Sequence, residues 1–432
     1  MNAIQILKLF IAASLAGTLL IGVLFMMRTS DEDEMRLYAK QVVYDHKKSP
    51  ANENRNIDAV KVTRPATART PEPKRKSSRR ASAQIFYYPW YGSPEFDNNR
   101  YYHWNHPLLK PNPESKMKPT NHTPPNDIAS IFYPQLGPYS SRNQTVIEQH
   151  MKWMASAGID VVVVSWYPAG KSDGQGYPWD DLIPASFHLE PYPNQTAASV
   201  RKDIEYVISK YGQFPAFYRA YPKHDTPKPL PLFYVYDSYK IPYDDWAKLA
   251  TVNGSMSIRD TEFDSILIGL VLKVNDIHMM SSSGFNGVYT YFAADGFTEA
   301  SSMENWKRMS ELCEEKSLLF APSVGPGYDD TRVRPWNYKN IRSRKDGSYY
   351  QEHLKAAHTA KADILSITSF NEWHEGTNIE PAIPFRDDNG TGYVYQNYEK
   401  DPDFYLQLTH EAIHKLFTPE HEKISNNLAK II

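Results

Sequence analysis

The stretch IDVVVVSWY, residues 159–167, contains four consecutive valines and ends on polar and aromatic residues. An uninterrupted β-branched run predicts a strand that is buried on both faces, as strands of parallel sheets are. Seven further runs of this type occur in the chain: IFYYPWY (85–91), FHLEPY (187–192), LFYVYD (232–237), ILIGLV (266–271), GVYTYF (287–292), LLFAPSV (318–324) and DILSITSF (363–370). The sequence therefore predicts eight parallel strands.

Helical patterns separate most of these runs. They cover about 145–154, 198–210, 304–315 and 402–416, and Thr145 and Glu148 have the spacing of a capping box. Eight strands alternating with helices over residues 83–432 predict an α/β fold, a (β/α)₈ TIM barrel. A doubly wound open sheet is the alternative, but the chain lacks the Gly-rich first turn typical of that fold.

The second βα unit is shortened. About 20 residues separate Trp166 from Phe187, and they include PAGKSDGQGYP but no amphipathic helix. A parallel crossover usually contains a helix, which covers the outer wall of the barrel. We therefore expect the outer face of the neighbouring strand to be exposed.

The amino-terminal region predicts a membrane anchor. Residues 9–27 are uncharged and long enough to cross a bilayer. Lys8 precedes this run and four acidic residues, 31–34, follow it, which favours a cytosolic amino terminus. We assign residues 1–30 to a cytosolic tail and transmembrane signal anchor, 31–82 to a disordered luminal stem and 83–432 to the catalytic barrel.

Composition narrows the function classes. The formal net charge of −2 does not indicate a nucleic-acid partner. The 30 Tyr, 18 Phe and 9 Trp residues exceed what a core requires, and they suit either a groove that stacks against sugars or bases or a tyrosine-rich surface. Cys313 is the single cysteine, so no intramolecular disulfide forms, and its helical spacing with Trp306 and Met309 predicts a core position.

The last strand leads into SFNEWHEGTNIEP, residues 369–381, where Glu372 and Glu375 lie three residues apart. Barrel enzymes carry their chemistry at the carboxyl ends of the strands, and glycoside hydrolysis uses two carboxyl groups. Crowding can raise one pKa so that this group holds a proton at neutral pH. A zinc-protease motif is excluded because Asn378 stands where its second histidine is needed, and we predict no metal site.

Eight motifs together carry a family resemblance: FYYPWYG (86–92), HWNHP (103–107), FHLEPY (187–192), VYDSY (235–239), GVYTYFA (287–293), PSVGPGY (322–328), RPWN (334–337) and ITSFNEWHEGTNIEPAIP (367–384). With them the chain resembles glycoside hydrolase family 99, the glycoprotein endo-α-1,2-mannosidases. The resemblance implies retaining cleavage of glucosylated high-mannose N-glycans on glycoproteins, with release of a glucosyl-α-1,3-mannose unit. It also implies a single-pass type II protein of the Golgi membrane with a luminal catalytic domain, and no cofactor.

The resemblance also implies roles for individual residues. Glu375 would be the acid/base, and Glu372 would act on the 2-hydroxyl of mannose so that a 1,2-anhydro sugar forms. The substrate-binding residues would be Tyr88, Trp166, His188, Glu190, Asp237, Tyr289, Tyr291, Arg334, Asn371 and Trp373. Members of the family carry a helix and the start of a strand where this chain passes from Pro184 to Phe187. A catalytically impaired, lectin-like luminal protein is therefore the alternative function.

Overall fold

The computed structural model describes residues 81–111, 120–173, 180, 186–223, 227–388, 390–398 and 400–418. The predicted anchor and the stem up to residue 80 lie outside the described residues. Within the described ranges, no helix combines the length and the apolar composition that a membrane span requires.

One continuous parallel sheet organises the chain. Its strands are β1 Ser82–Tyr87, β3 Val161–Trp166, β4 Ser186–Leu189, β6 Leu230–Val235, β7 Ile266–Leu270, β8 Gly287–Tyr289, β9 Leu319–Ala321, β10 Ser323–Val324 and β11 Ile364–Ile367. The order is β10-β11-β1-β3-β4-β6-β7-β8-β9. Only Pro322 separates β9, which pairs with β8, from β10, which pairs with β11, so this chain segment closes the sheet into a barrel. All eight predicted strands are confirmed.

Three short strands lie outside the barrel wall. They are β2 Tyr133–Pro134 and β12 Ala382–Ile383, which pair with each other, and β5 Arg219–Ala220, which pairs with β6. The two-stranded sheet of β2 and β12 holds the segment that follows the glutamate-containing loop.

Helices surround the barrel. They are α1 Gln144–Ser156, α2 Ala197–Tyr211, α3 Tyr243–Ala250, α4 Asp276–Ser282, α5 Met303–Glu315, α6 Ser348–Thr359 and α7 Phe404–Ala412, and a π-helical turn Ile413–Phe417 extends α7. The four predicted helices are confirmed, and α3, α4 and α6 are additional. Cys313 is fully buried on α5 beside Trp306 and Met309, as predicted.

The predicted capping box at the start of α1 is wrong. Asn143 is the N-cap residue, because its side chain accepts a hydrogen bond from the Thr145 amide at 3.0 Å. Glu148 instead accepts a hydrogen bond from Gln144 at 2.9 Å. An asparagine two residues before Thr145 takes the cap position because its side-chain oxygen reaches the amide directly.

The expected exposure of the barrel wall is also wrong. The described part of the crossover between β3 and β4, residues 167–173 and 180, contains no helix. However, Val164 and Trp166 on the outer face of β3 are only 3% and 2% exposed. Helix α2 covers two strands, because its Tyr206 ring lies 6.1 Å from Trp166 and its Tyr211 ring 5.3 Å from Phe187 on β4.

The barrel interior is lined with aromatic rings. Phe86 on β1 contacts rings from three other strand ends, with centroids 4.8 Å from His188, 5.3 Å from Tyr234 and 5.4 Å from Tyr291. At the amino-terminal side of this layer, Tyr234 donates a hydrogen bond to Gln84 at 2.8 Å. The packed interior leaves the carboxyl ends of the strands as the place for polar chemistry.

Candidate active site

A tight turn after β11 carries both glutamates. The Phe370 amide donates to the Phe86 carbonyl at 2.9 Å, and residues Trp373–Glu375 then form a 3₁₀ turn that ends at Gly376. Gly376 has φ 60°, and a Cβ atom there would lie 2.8 Å from the Asp329 carbonyl oxygen. Glycine is therefore required for the chain to leave the turn.

Glu372 and Glu375 differ in exposure and in partners. Glu372 is 4% exposed, and its carboxylate accepts a hydrogen bond from the His374 amide at 3.2 Å. Glu375 is partly exposed, and among the described residues its carboxylate has no hydrogen-bond partner. Glu375 is thus the carboxyl group that is free to meet a ligand.

Burial sets the protonation of this pair. It raises the pKa of Glu372 well above its usual value, with the Glu375 charge adding to the effect. It raises the pKa of Glu375 to about 7, although the positive charge of Arg334 acts in the opposite direction. Two like charges in a low-dielectric site are unfavourable, so the pair holds a proton near neutral pH.

Arg334 is the cation of the site. It pairs with the fully buried Asp330 at 3.1 Å. Asp330 also accepts two hydrogen bonds from the Asn337 amide group, at 3.0 and 3.1 Å. Arg334 and Asp330 act on Glu375 with opposite signs, because the cation lowers the pKa of Glu375 and the anion raises it.

A second group of predicted residues lies on the inner face of the strand ends. The hydroxyl groups of Tyr88 and Tyr291 are in hydrogen-bond contact. His188 stacks on Tyr291 with centroids 5.6 Å apart, and it bridges Glu190 at 3.0 Å and the Tyr289 hydroxyl at 2.7 Å. The structure therefore brings these predicted residues together, beside the two glutamates whose charges act on Tyr88 and Tyr291.

Asp237 lies just after β6, and its backbone is left-handed with φ 49°. Its carboxylate pairs with Lys240 at 2.7 Å and accepts a hydrogen bond from Tyr239 at 2.7 Å. Its charge acts on both Tyr236 and Tyr289, which places it at the edge of the same site.

Three predicted binding residues do not line this site. Trp166 points outward to helix α2, because Ser165 takes the inward position and alternate residues of a strand face opposite sides. Asn371 is fully buried, and its side chain bonds both the amide and the carbonyl of Tyr88, at 2.8 and 2.9 Å. Trp373 is also fully buried, with its indole N–H directed away to Glu380 at 3.0 Å.

Two further residues, Tyr236 and Ser165, belong to the site but are not among the residues predicted from the sequence. Tyr236 is partly exposed, and its ring lies 4.7 Å from Tyr291 and 5.1 Å from His188. Ser165 donates to Glu190 at 2.8 Å. Both residues lie at the ends of predicted strands. Each is two positions after an inward-facing residue, Tyr234 or Val163, so strand alternation could have identified them.

Histidines and a tryptophan form one wall beside the turn. His374 stacks on His103 at 5.4 Å and lies 5.0 Å from His106, and Trp90 stacks on His103 at 4.5 Å. Burial lowers the pKa of His374 well below its usual value and that of His106 to about 4, so both are neutral at physiological pH. Across the part of the chain that the structure describes, no group of three or more His, Cys, Asp and Glu residues is arranged to hold a metal ion.

Comparison with known proteins agrees with this geometry. A family model described as glycosyl hydrolase family 99 matches residues 80–418. The chain is 47% identical over 342 residues to a glycoprotein endo-alpha-1,2-mannosidase of Xenopus laevis, covering 75% of each chain. It is 48% identical over 342 residues to a glycoprotein endo-alpha-1,2-mannosidase-like protein of Danio rerio, covering 75% of this chain and 76% of that one.

A solved structure of the same family shares the fold. The GH99 endo-alpha-mannosidase from Bacteroides thetaiotaomicron superposes with a TM-score of 0.71 at 38% identity. The match covers 78% of this chain and 98% of the bacterial one.

Proposed function

Because the chain belongs to glycosyl hydrolase family 99 and is a glycoside hydrolase that acts on mannose glycans, we propose that it is a retaining endo-α-1,2-mannosidase. Its substrates are glucosylated high-mannose N-glycans on glycoproteins, from which it releases glucosyl-α-1,3-mannose. The observation that carries this proposal is the pair of carboxyl groups with raised pKa values on one turn, the buried Glu372 and the partly exposed Glu375. The names of the relatives support the linkage.

The first half of the reaction uses the substrate's own oxygen. Glu372 takes the proton of the mannose 2-hydroxyl, and this oxygen attacks the anomeric carbon to form a 1,2-anhydro sugar. The bond to the leaving group breaks as Glu375 donates its proton to the departing oxygen. In an α-mannoside the 2-hydroxyl and the leaving group lie on opposite faces of the ring, so the attack is in line.

The second half restores both carboxyl groups. Water attacks the anomeric carbon and gives its proton to Glu375, while the epoxide oxygen opens and recovers the proton held by Glu372. Two inversions at one carbon give net retention. The greater exposure of Glu375 suits the group that must reach both the leaving group and water.

Proton placement follows from the contacts of the two groups. Before substrate binds, deeper burial favours the proton on Glu372. A bound 2-hydroxyl donates a hydrogen bond to Glu372, as the His374 amide already does, and hydrogen bonds to the charged form lower a carboxyl pKa. The proton then resides on Glu375, where the leaving group needs it.

We assign sugar contacts to the inward residues and positioning roles to the buried ones. Tyr88, Glu190, Tyr291, Arg334 and Asp237 face the substrate together with Tyr236. His188 and Tyr289 orient Glu190 and the tyrosine rings, and Asn371 holds Tyr88 against the catalytic turn.

The predicted location completes the proposal. Residues 9–27 anchor the protein in the Golgi membrane as a type II protein, with the barrel in the lumen. The sequence contains five Asn-x-Ser/Thr acceptor sites, at Asn121, Asn143, Asn194, Asn253 and Asn389. Asn121, Asn194 and Asn253 are exposed, as glycosylation in the lumen requires, whereas Asn143 is half-buried as the N-cap residue of α1. Asn389, another acceptor, lies outside the described residues.

A lectin-like protein without turnover is the second candidate. The observation that favours it is Trp166, which packs against helix α2 next to the shortened crossover instead of facing the site. Such a protein would bind the glycan through Tyr88, Tyr236 and Tyr291 and leave it intact.

Turnover of a glucosylated high-mannose glycan by the full-length chain separates the two functions. We expect the wild type to release the disaccharide, and Glu372→Gln and Glu375→Gln each to lose at least about 10²–10⁴-fold in rate while retaining glycan binding. Glu352→Gln, on the exposed face of α6, serves as the control and should match the wild type. Binding without release by the wild type would support the lectin-like function.

A further inference from the structure

A fully buried carboxylate lies directly behind the catalytic turn. Glu380 is 0% exposed. Its Oε2 atom accepts hydrogen bonds from the Tyr139 hydroxyl at 2.8 Å and from the Trp373 indole N–H at 3.0 Å, and its Oε1 atom accepts one from His150 at 3.1 Å. The reaction described above makes no use of this group, and burying a carboxylate is costly unless it is fully hydrogen-bonded.

The partners of Glu380 lie between the barrel wall and helix α1. His150 is fully buried on α1, and its Nδ1 atom bonds the hydroxyl of Tyr87, whose ring points outward from β1. Because burial and the Glu380 charge raise the pKa of Tyr87, its hydroxyl stays protonated and donates to His150. His150 then donates to Glu380 through Nε2, and every polar atom of the group is paired.

Side-chain hydrogen bonds connect the Glu380 carboxylate to the catalytic turn through Trp373 and through Tyr139. Trp373 stands between Glu372 and Glu375 in the chain, and its indole N–H is directed at Glu380. Tyr139 also accepts a hydrogen bond from Asn371 at 3.2 Å. The backbone adds a third tie, since the Glu380 amide donates to the Phe370 carbonyl at 2.9 Å and so closes the base of the loop.

We infer that Glu380 is a positioning residue for the catalytic pair: by accepting the indole N–H of Trp373 and the hydroxyl of Tyr139, it fixes the turn on which Glu372 and Glu375 stand. The indole N–H of Trp373 also reaches the Tyr139 hydroxyl at 3.3 Å, and Glu380 holds that hydroxyl in place. The ring can therefore rotate only if its N–H finds an acceptor outside this group. The fixed ring thus determines where both carboxyl groups point, and misplacement by about 1 Å can cost about 10²-fold in rate. The kinetic part of this inference rests on the proposed function.

Two substitutions of Glu380 by side chains of similar size distinguish its role as a hydrogen-bond acceptor from a role in packing alone. Glu380→Met removes both acceptor oxygens, and we expect kcat to fall by about 10–100-fold with KM changed by less than about threefold. Glu380→Gln keeps one oxygen for Trp373 and Tyr139, and its amide can donate to the other tautomer of His150. We therefore expect Glu380→Gln to recover kcat to within about threefold of the wild type.

Trp373→Phe tests the same contact from the other side. It keeps an aromatic ring and removes the donor, so kcat should again fall by about tenfold or more. If Glu380 acts through Trp373, the two changes are not additive, and the double variant with Glu380→Met should be no slower than the slower single variant. Asp363→Asn, at the opposite end of β11, where Asp363 accepts a hydrogen bond from the Phe320 amide, is the stability control and should leave kcat unchanged.

A spectroscopic measurement reports the contact without substrate. In the full-length chain with ¹⁵N-labelled tryptophan, the indole resonance absent from Trp373→Phe belongs to Trp373. We expect it to move upfield in Glu380→Met and to stay close to its wild-type position in Glu380→Gln, because donation to an acceptor oxygen deshields the proton.

The outcomes separate this inference from the proposed function. A folded Glu380→Met variant with wild-type kcat, or an unmoved indole resonance, overturns the positioning role. If Glu380→Met does not fold, a wild-type kcat for Trp373→Phe overturns it equally. A wild-type chain that binds the glycan without hydrolysis defeats the proposed function, while the indole resonance still tests the contact.

Discussion

Glu375 illustrates how one residue takes its chemistry from its surroundings. Burial raises its pKa to about 7, Arg334 lowers it, and Asp330 raises it. A general acid works best when its pKa lies close to the operating pH. The Arg334–Asp330 pair therefore adjusts the proton affinity of Glu375 without a hydrogen bond to its carboxylate among the described residues, and this effect can be measured.

Replacing Arg334 by glutamine should shift the pH profile of hydrolysis. Loss of the positive charge raises the pKa of Glu375, so the protonated acid persists to higher pH. We expect the pH at which kcat/KM falls on the alkaline side to rise by about one unit, a shift typical of removing one opposite charge nearby. The measurement is kcat/KM from pH 5 to 9, normalised to its maximum because Arg334 also binds substrate.

Asp330→Asn is the matched control with the opposite sign. It removes a negative charge that raises the pKa of Glu375, so the alkaline limb should move to lower pH. Movement of both profiles in the same direction, or of neither, would show that this limb does not report Glu375.

At the scale of elements, helix α2 compensates for the short crossover. Tyr206 and Tyr211 cover Trp166 and Phe187 on two neighbouring strands. Asp180, in the crossover, accepts hydrogen bonds from the Trp166 indole at 2.7 Å and from Lys210 on α2 at 2.7 Å. The crossover is thus tied to the helix that covers the wall.

Trp166→Ala should therefore act on stability. Removing this buried ring should cost about 3–5 kcal/mol in the free energy of unfolding, the range typical of large aromatic truncations in cores. KM should stay unchanged, because the ring faces α2. Denaturant unfolding and steady-state kinetics measure the two quantities.

Tyr236→Ala provides the comparison, because this ring is partly exposed and contacts Tyr291 edge to face inside the site. It should raise KM and change stability less than Trp166→Ala does. The reverse pattern, with KM raised by the Trp166 substitution and stability unaffected, would place Trp166 in the substrate groove and contradict the observed packing.

These elements also show what the sequence could predict. Hydrophobic runs identified all eight barrel strands, because burial on both faces leaves a continuous apolar signal. The runs did not show which side each end residue faces, and this parity decides that Ser165 is inward and Trp166 outward. Asn371 and Trp373 were predicted to contact sugar, but their side chains bond Tyr88 and Glu380, residues that are neighbours only in the folded chain.

At the scale of the whole molecule, the barrel positions acids, cation and tyrosines from different strands at one end. Direct parallel pairing of β1 with β11 places the Glu372–Glu375 turn, at the end of β11, next to Tyr88 at the end of β1. We propose that the predicted anchor, residues 1–30, and the predicted stem, residues 31–82, determine the compartment in which this site meets its substrate.

Protease treatment of sealed microsomes tests the proposed orientation. With residues 1–8 cytosolic and 9–27 spanning the membrane, we expect the barrel to resist an added protease until detergent opens the vesicles. Vesicles opened with detergent provide the control for cleavability. Digestion of the barrel in intact vesicles would reverse the proposed topology.

The stereochemistry of the first product tests the central claim most directly. We expect ¹H NMR of a glucosylated high-mannose glycan treated with the full-length chain to show the α-anomer of glucosyl-α-1,3-mannose before mutarotation, because formation and opening of the 1,2-anhydro sugar invert the same carbon twice. Glu372→Gln and Glu375→Gln should show no such signal. Initial release of the β-anomer, or release of the α-anomer by either variant at the wild-type rate, would contradict the assignment of Glu372 and Glu375.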